Sequence, residues 1–193
     1  MSKQDTKQHL LDIGTDLLIR DGFFHTGINE VLVHADVPKG SFYYYFKSKE
    51  DFGLQVLVNF ANNNRAFLQN HLDDLHLRPL ARLRAYFSAN IERLTAQHYT
   101  QGCLIGNMTQ ELADQSETFR TALKDMMNDW AGQLAGALRE AQVSGEISPE
   151  AEVDDLANFC LNSWQGAILR MKVAKTSEPL EAFVRLFFEV ILH

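Results

Sequence analysis

Apolar residues recur at three- and four-residue steps along most of the chain, the spacing of helices that bury one face. Over 5–22, Leu10, Leu11, Ile13, Gly14, Leu17 and Leu18 keep this step, and Asp21-Gly22 ends the run. Gly14 is expected to let another helix pack closely. Ile28, Val31, Leu32 and Ala35 repeat the step, with Thr26 or Asn29 as the expected cap and Glu30 near the first turn. Asp36-Val37-Pro38 breaks that helix, because the residue before a proline is pushed out of the α region. Ser48, with Asp51 three residues on, forms an acidic capping box. The helix it starts is predicted to run to about Leu72, carrying Phe52, Val56, Leu57, Phe60, Phe67 and Leu68. Arg78-Pro79 opens a helix with apolar residues at Leu80, Leu83, Tyr86, Phe87, Ile91 and Leu94. Further helices are predicted through Leu112, over 116–144 with Gly145 as the stop, over 150–173 behind Pro149, and over 178–192. The fold class is all-α.

Between the second and third of these helices lies 39–49, KGSFYYYFKSK, in which no acidic residue interrupts the lysines. A short helix through 41–46 puts Phe42 and Phe46 on one face, while Tyr43, Tyr44 and Tyr45 point elsewhere. Phenol hydroxyls donate to phosphate oxygens, and their rings pack on sugars and thymine methyls. Phe23 and Phe24 are expected to close the small core together with Phe42 and Phe46. Lys39-Gly40 opens this second helix with free amides facing forward. Two short helices joined by a tight turn, the second basic and aromatic, suit a reading head for the major groove.

The residues Gly22-Phe23, Thr26, Ile28, Val31, Ala35, Val37, the run from Lys39 to Phe46, and Lys49-Glu50 make the chain resemble the TetR family of bacterial transcriptional regulators. The third tyrosine stands where that family more often has histidine. The resemblance implies a three-helix helix-turn-helix DNA-binding domain over 5–65, with the motif at about 27–46. It also implies a C-terminal helical bundle over 66–193 that binds ligand and dimerises. On this reading Thr26 and Lys49 anchor phosphates. Lys39, Gly40 and Ser41 approach the groove, Tyr43 and Tyr45 hold the backbone, and Tyr44 reads bases. The last two predicted helices then pair with their symmetry mates, and Phe159, Ser163, Ala167, Phe183, Phe187 and Val190 are the expected dimer contacts. Double-stranded DNA with a palindromic operator, a second copy of the chain and a small-molecule inducer are the implied partners.

Charge and composition refine this picture. The net charge of −7 opposes nucleic acid at first sight, but residues 1–50 are nearly balanced and the acid excess lies downstream. A local basic face suffices for docking, and an acidic body disfavours indiscriminate binding. Lys3 and Lys7 either reach phosphate or form a solvated tail. No run of about 18 apolar residues predicts a membrane span. The amino-terminal MSKQDTKQHLL lacks a secretion signal's apolar core, so a cytoplasmic location is expected. Cys103 and Cys160 make no disulfide framework. The histidines, His9 through His193, lack ligand spacing, and no metal, cofactor or catalytic pairing is expected. An enzyme and a protein-binding adaptor are the alternatives to a DNA-binding regulator.

The inducer side is less sharply written. The segment from Gly102 to Asn107, with the later Glu-Leu-Ala-Asp, resembles the branch of the family that includes acrylate- and N-ethylmaleimide-responsive repressors. There, some members sense electrophiles or oxidants through this cysteine, and Lys172 stands where a lysine partners the thiol. Cys103 is therefore a sensing thiol or a small buried residue at a helix entry. Met108, Met126, Met127, Trp130 and Trp164 either line a ligand cavity or form plain core.

Overall fold

A computed structural model describes residues 3–192, and every regular element among them is helical. In chain order these are α1 (Lys3–Asp21), α2 (Ile28–His34), a 3₁₀ turn (Lys39–Ser41), α3 (Phe42–Tyr45) and α4 (Lys49–Leu72). There follow α5 (Pro79–Ala96), α6 (Leu104–Leu112), α7 (Glu117–Val143), α8 (Val153–Ala174) and α9 (Glu178–Leu186), which ends in a π-helical turn, Phe187–Ile191. Two compact units emerge: Met1–Asn63 with Cys103–Lys124, and Asn64–Gly102 with Asp125–His193. The segment from Cys103 to Lys124 thus packs with the amino-terminal helices, a grouping that chain order alone does not suggest.

In the first unit, α3 is far too short to be stable alone. Phe42 and Phe46 are buried and meet Phe52 of α4, with ring centroids 5.6 and 4.9 Å away. Gly14 of α1 makes room for this cluster, since a Cβ there would lie 2.4 Å from Phe52 Cζ. Phe23 is buried against Phe119 of α7 at 5.2 Å. Phe24, expected beside it in the core, is instead 58% exposed, because Phe23 already fills the space between Gly53 and Phe119.

Local chemistry sets the helix boundaries. Neither Thr26 nor Asn29 caps α2; the cap is Gly27, without a side-chain hydrogen bond. Thr26 is turned inward, its hydroxyl donating to the Gly22 carbonyl at 2.7 Å. After α2, Asp36 adopts a left-handed φ of 51°, and the Val37 amide returns to the Leu32 carbonyl at 2.9 Å, so the chain reverses before Pro38. The capping box before α4 forms with a one-residue shift. The Asp51 amide donates to Ser48 Oγ at 3.0 Å, and the Asp51 carboxylate accepts from the Lys47 amide at 2.7 Å. Those bonds, the Lys47 amide first and then Gln55, hold the Asp51 carboxyl below the ordinary aspartate range.

In the second unit, Trp164 of α8 packs between Phe87 of α5 and Phe183 of α9, with centroids 5.0 and 5.4 Å away. Buried Arg82 donates to the Leu72 carbonyl closing α4 at 2.7 Å and pairs with Glu140 of α7 at 3.0 Å. Pro149 does not open α8, which starts at Val153. Gln142 holds the intervening turn, its amide donating to the carbonyls of Ser148, Pro149 and Ala151. The last helix stays α-helical to Leu186 and widens into its π turn, a departure from the uniform helix predicted over 178–192.

The packing of α3 generates one expectation. A Gly14→Val substitution forces side-chain carbons into Phe52, which has no free volume, and lowers stability by about 2 kcal/mol. A urea denaturation midpoint equal to that of the wild type would contradict the close contact.

Candidate nucleic-acid interface

Burial of Phe42 and Phe46 dictates what α3 shows to solvent. With those side chains inward, Tyr43 and Tyr44 are 69% and 64% exposed. Tyr45 is half-buried and meets the Tyr44 ring edge-on at 5.1 Å. Lys39, Gly40 and Lys47 are exposed, and Ser41 is half-buried. A Cβ on Gly40 would meet nothing within 4 Å, so packing inside the protein does not demand glycine there. Its bare backbone instead leaves room for an external surface to approach.

The amino-terminal end of α1 adds charge to this face. Lys3 Nζ stands 4.0 Å above the Tyr44 ring, and Lys7 Nζ lies 5.8 Å from the Phe46 ring. An exposed cation–π contact is worth about 0.5–1 kcal/mol. A charge-assisted hydrogen bond contributes about 1.5–3 kcal/mol, so Lys3 can leave Tyr44 for a phosphate oxygen. Sequence alone left Lys3 open between tail and contact; its ammonium lies over the Tyr44 ring. The patch therefore joins phenols, ammonium groups, the Ser41 hydroxyl and an unobstructed glycine, a set made for a polyanion with apolar edges.

Two residues expected to anchor phosphate are otherwise engaged. Thr26 is 2% exposed, with its hydroxyl spent on Gly22. Lys49 is half-buried; its ammonium donates to the Phe24 carbonyl at 3.3 Å and lies 4.7 Å from the Phe23 ring. Burial pushes the Lys49 pKa below that of an ordinary lysine, and the charge of Glu111 pulls it the other way. Both residues shape the turn beneath the face.

The residues proposed for sensing fall in both units. Cys103 and Met108 belong to the first: Cys103 is the N-cap of α6 and 6% exposed, and Met108 is fully buried. Met126, Met127, Trp130, Trp164 and Lys172 belong to the second. Met126, Met127 and Lys172 are half-buried, and Trp130 is buried with its indole nitrogen lacking a hydrogen-bond partner. Trp164 lies inside the aromatic stack described above, which makes it core. Cys160 is deeply buried, and desolvation pushes its thiol well above the usual range.

The expected dimer contacts converge. Phe159, Ser163 and Ala167 of α8 line one groove of about 510 Å³ with Phe183, Phe187 and Val190 from α9 and its π turn. Phe159, Leu186, Val190 and Ile191 are 43–61% exposed along it. Among the described residues no group of three or more His, Cys, Asp or Glu is placed to hold a metal, and no helix is long and apolar enough to cross a membrane. His193 lies outside the described residues.

Sequence reading gave Glu111 only as the first residue of Glu-Leu-Ala-Asp, with no role assigned. Its carboxylate accepts the Phe23 amide at 2.9 Å and the Phe24 amide at 3.4 Å, tying α6 to the turn after α1. The signal was available as Asn107 and Glu111, polar residues four apart on a helix whose other side is Leu104, Ile105, Met108 and Leu112.

Comparison with known proteins agrees with this geometry. Residues 10–56 match the family described as bacterial regulatory proteins, tetR family, and residues 79–187 match the tetracyclin repressor-like C-terminal domain. The chain is 39% identical to the HTH-type transcriptional repressor DhaR of Mycobacterium sp. (strain GP1), covering all of this chain and 95% of that one. It is 31% identical to the HTH-type transcriptional repressor NemR of Escherichia coli (strain K12), covering 93% and 90%. The crystal structure of regulatory protein TetR from Rhodobacter sphaeroides superposes with a TM-score of 0.89 at 38% identity, over 94% of this chain and 96% of that one. The reduced form of E. coli NemR gives a TM-score of 0.82 at 30% identity, over 94% and 95%. These relatives regulate transcription and are not enzymes. An exposed aromatic–basic helix on a buried phenylalanine base, in a chain matched at both ends and along its length, makes this protein a member of the TetR family of helix-turn-helix, DNA-binding transcriptional regulators.

Proposed function

We propose that the protein is a homodimeric repressor that reads a two-fold symmetric operator and releases it when a small hydrophobic or electrophilic molecule acts on the chain. The observation that carries the reading is the outward pair Tyr43–Tyr44, flanked by Lys3, Lys39 and Lys47 and backed by Phe42 and Phe46. Tyr44 contacts base edges. Tyr43 and the lysines take phosphates, and Gly40 and Ser41 let the backbone come close. Thr26, Tyr45 and Lys49 support this face from behind.

The groove between α8 and α9 supports dimerisation, because exposed Phe159, Leu186, Val190 and Ile191 suit an isologous contact with a second copy. Two heads then span half-sites about 34 Å apart, one turn of the duplex. The DNA-binding domain corresponds to 5–65 and the ligand-binding and dimerisation domain to 66–193, with the cytoplasm as the compartment. The inducer acts through unequal affinity for the operator-bound and released states. Cys103 is the sensing thiol of this scheme: an electrophilic alkene adds to its sulfur, and the thiol proton ends on the adjacent carbon. Met126, Met127, Trp130 and Lys172 belong to the ligand side.

Two expectations follow from these roles. On DNA from upstream of the protein's own gene, Tyr44→Ala lowers specific affinity by about tenfold or more, and Gly40→Ala weakens binding without changing the melting temperature. Mobility-shift titrations with unchanged affinity for both would remove the α3 face from the interface. N-ethylmaleimide releases the wild type and Cys160→Ser from that DNA, whereas Cys103→Ser stays bound. Release of Cys103→Ser would return Cys103 to the core and leave a reversible ligand as inducer.

A further inference from the structure

The turn after α1 is built around an anion. Gly22 takes a φ of +83°, a conformation that side chains disfavour, and the amides of Phe23 and Phe24 follow it. Successive backbone amides at such a turn form a concave nest for negative charge. Glu111 of α6 occupies this one, its Oε2 accepting from both amides at 2.9 and 3.4 Å. Gly22 is needed for a second reason: a Cβ there would lie 2.3 Å from Glu111 Oε1. On the far side, Lys49 Nζ takes the Phe24 carbonyl at 3.3 Å and feels the Glu111 charge. The Phe24 residue is thus held through its amide by α6 and through its carbonyl by α4.

The same face of α6 grips α1 as well. Cys103, Asn107 and Glu111 are four residues apart and share one side of the helix. The Asn107 amide nitrogen donates to the Ile19 carbonyl at 3.4 Å, one turn before the nest. Thr26 then closes the turn onto Gly22, and α2 starts at Ile28. The direction in which α2, and behind it α3, leaves α1 is therefore set where Glu111 sits.

We infer that Glu111 is a positioning residue for DNA reading: its carboxylate, seated on the Phe23 and Phe24 amides, locks the α1–α2 turn in the conformation that presents α3. This inference rests on the operator-reading assignment above. The seated group belongs to α6, the helix that Cys103 caps.

The test is Glu111→Gln in the full-length protein, which keeps the side chain's size and removes its charge. Hydrogen exchange is followed at Phe23 and Phe24, and affinity is measured on DNA from upstream of the protein's own gene. The expected result is exchange at both amides about tenfold faster, interior amides of α1 and α4 unchanged, and affinity about tenfold weaker, the loss of one charge-assisted hydrogen bond. The dependence of affinity on salt stays the same, because no phosphate contact is removed. Wild-type exchange at open-turn rates overturns the inference, as does a variant that matches the wild type in both exchange and affinity. If the variant does not fold, wild-type exchange decides, since protection of the two amides equal to that of the last turn of α1 supports the seat. A wild type that binds no upstream DNA overturns the operator reading itself, whereas equal binding by wild type and variant overturns the role of Glu111 alone.

Discussion

The short helix α3 depends on two buried rings. Its four residues are below the length at which a helix stands in water, so tertiary contact must supply the stability. Phe42 and Phe46 do so against Phe52, in space left open by Gly14. Fully burying two such side chains contributes about 3–6 kcal/mol before entropy, enough to hold one helical turn in a single orientation. Once those rings point inward, helical geometry sends Tyr43 and Tyr44 outward. The exposed tyrosine face is thus the reverse side of a packing solution.

That solution was legible in the sequence because it is local. The four-residue step from Phe42 to Phe46, the break at Asp36-Val37-Pro38 and the box at Ser48–Asp51 each lie within a few residues. Most helix limits were equally readable, as at Pro79. Errors arose where a partner outside the hydrophobic pattern decided the outcome. Phe24 lost its core site to Phe23 because Phe119, nearly a hundred residues on, fits only one ring beside Gly53. Thr26 and Lys49 resemble anchors by motif, yet Gly22 and Phe24 take their polar groups. Pro149 looked like a helix start until Gln142 claimed the carbonyls around it. Glu111 was quoted within Glu-Leu-Ala-Asp but given no role, because its partners are backbone amides, which no side-chain pattern reveals.

The two cysteines show how position decides chemistry. Cys160 sits in the helical core of the second unit, where desolvation keeps the thiol protonated and inert. Cys103 caps α6, the helix whose next two turns hold α1 through Asn107 and the turn after α1 through Glu111. The family resemblance singled out the segment, but its packing with the amino-terminal helices came only with the fold. The start of α6 is thus about two helical turns from the hydrogen bonds that Glu111 makes to the turn after α1.

On the proposed function, the Tyr43–Tyr44 face meets the phosphates and base edges of duplex DNA as a symmetric pair. Fluorescence anisotropy on a labelled fragment from upstream of the protein's own gene, titrated at several salt concentrations, tests this most directly. Binding should saturate at two chains per site, with log affinity falling against log salt at a slope of about −5, as expected for roughly six phosphates across two heads. A slope near zero, or saturation at one chain per site, would contradict it.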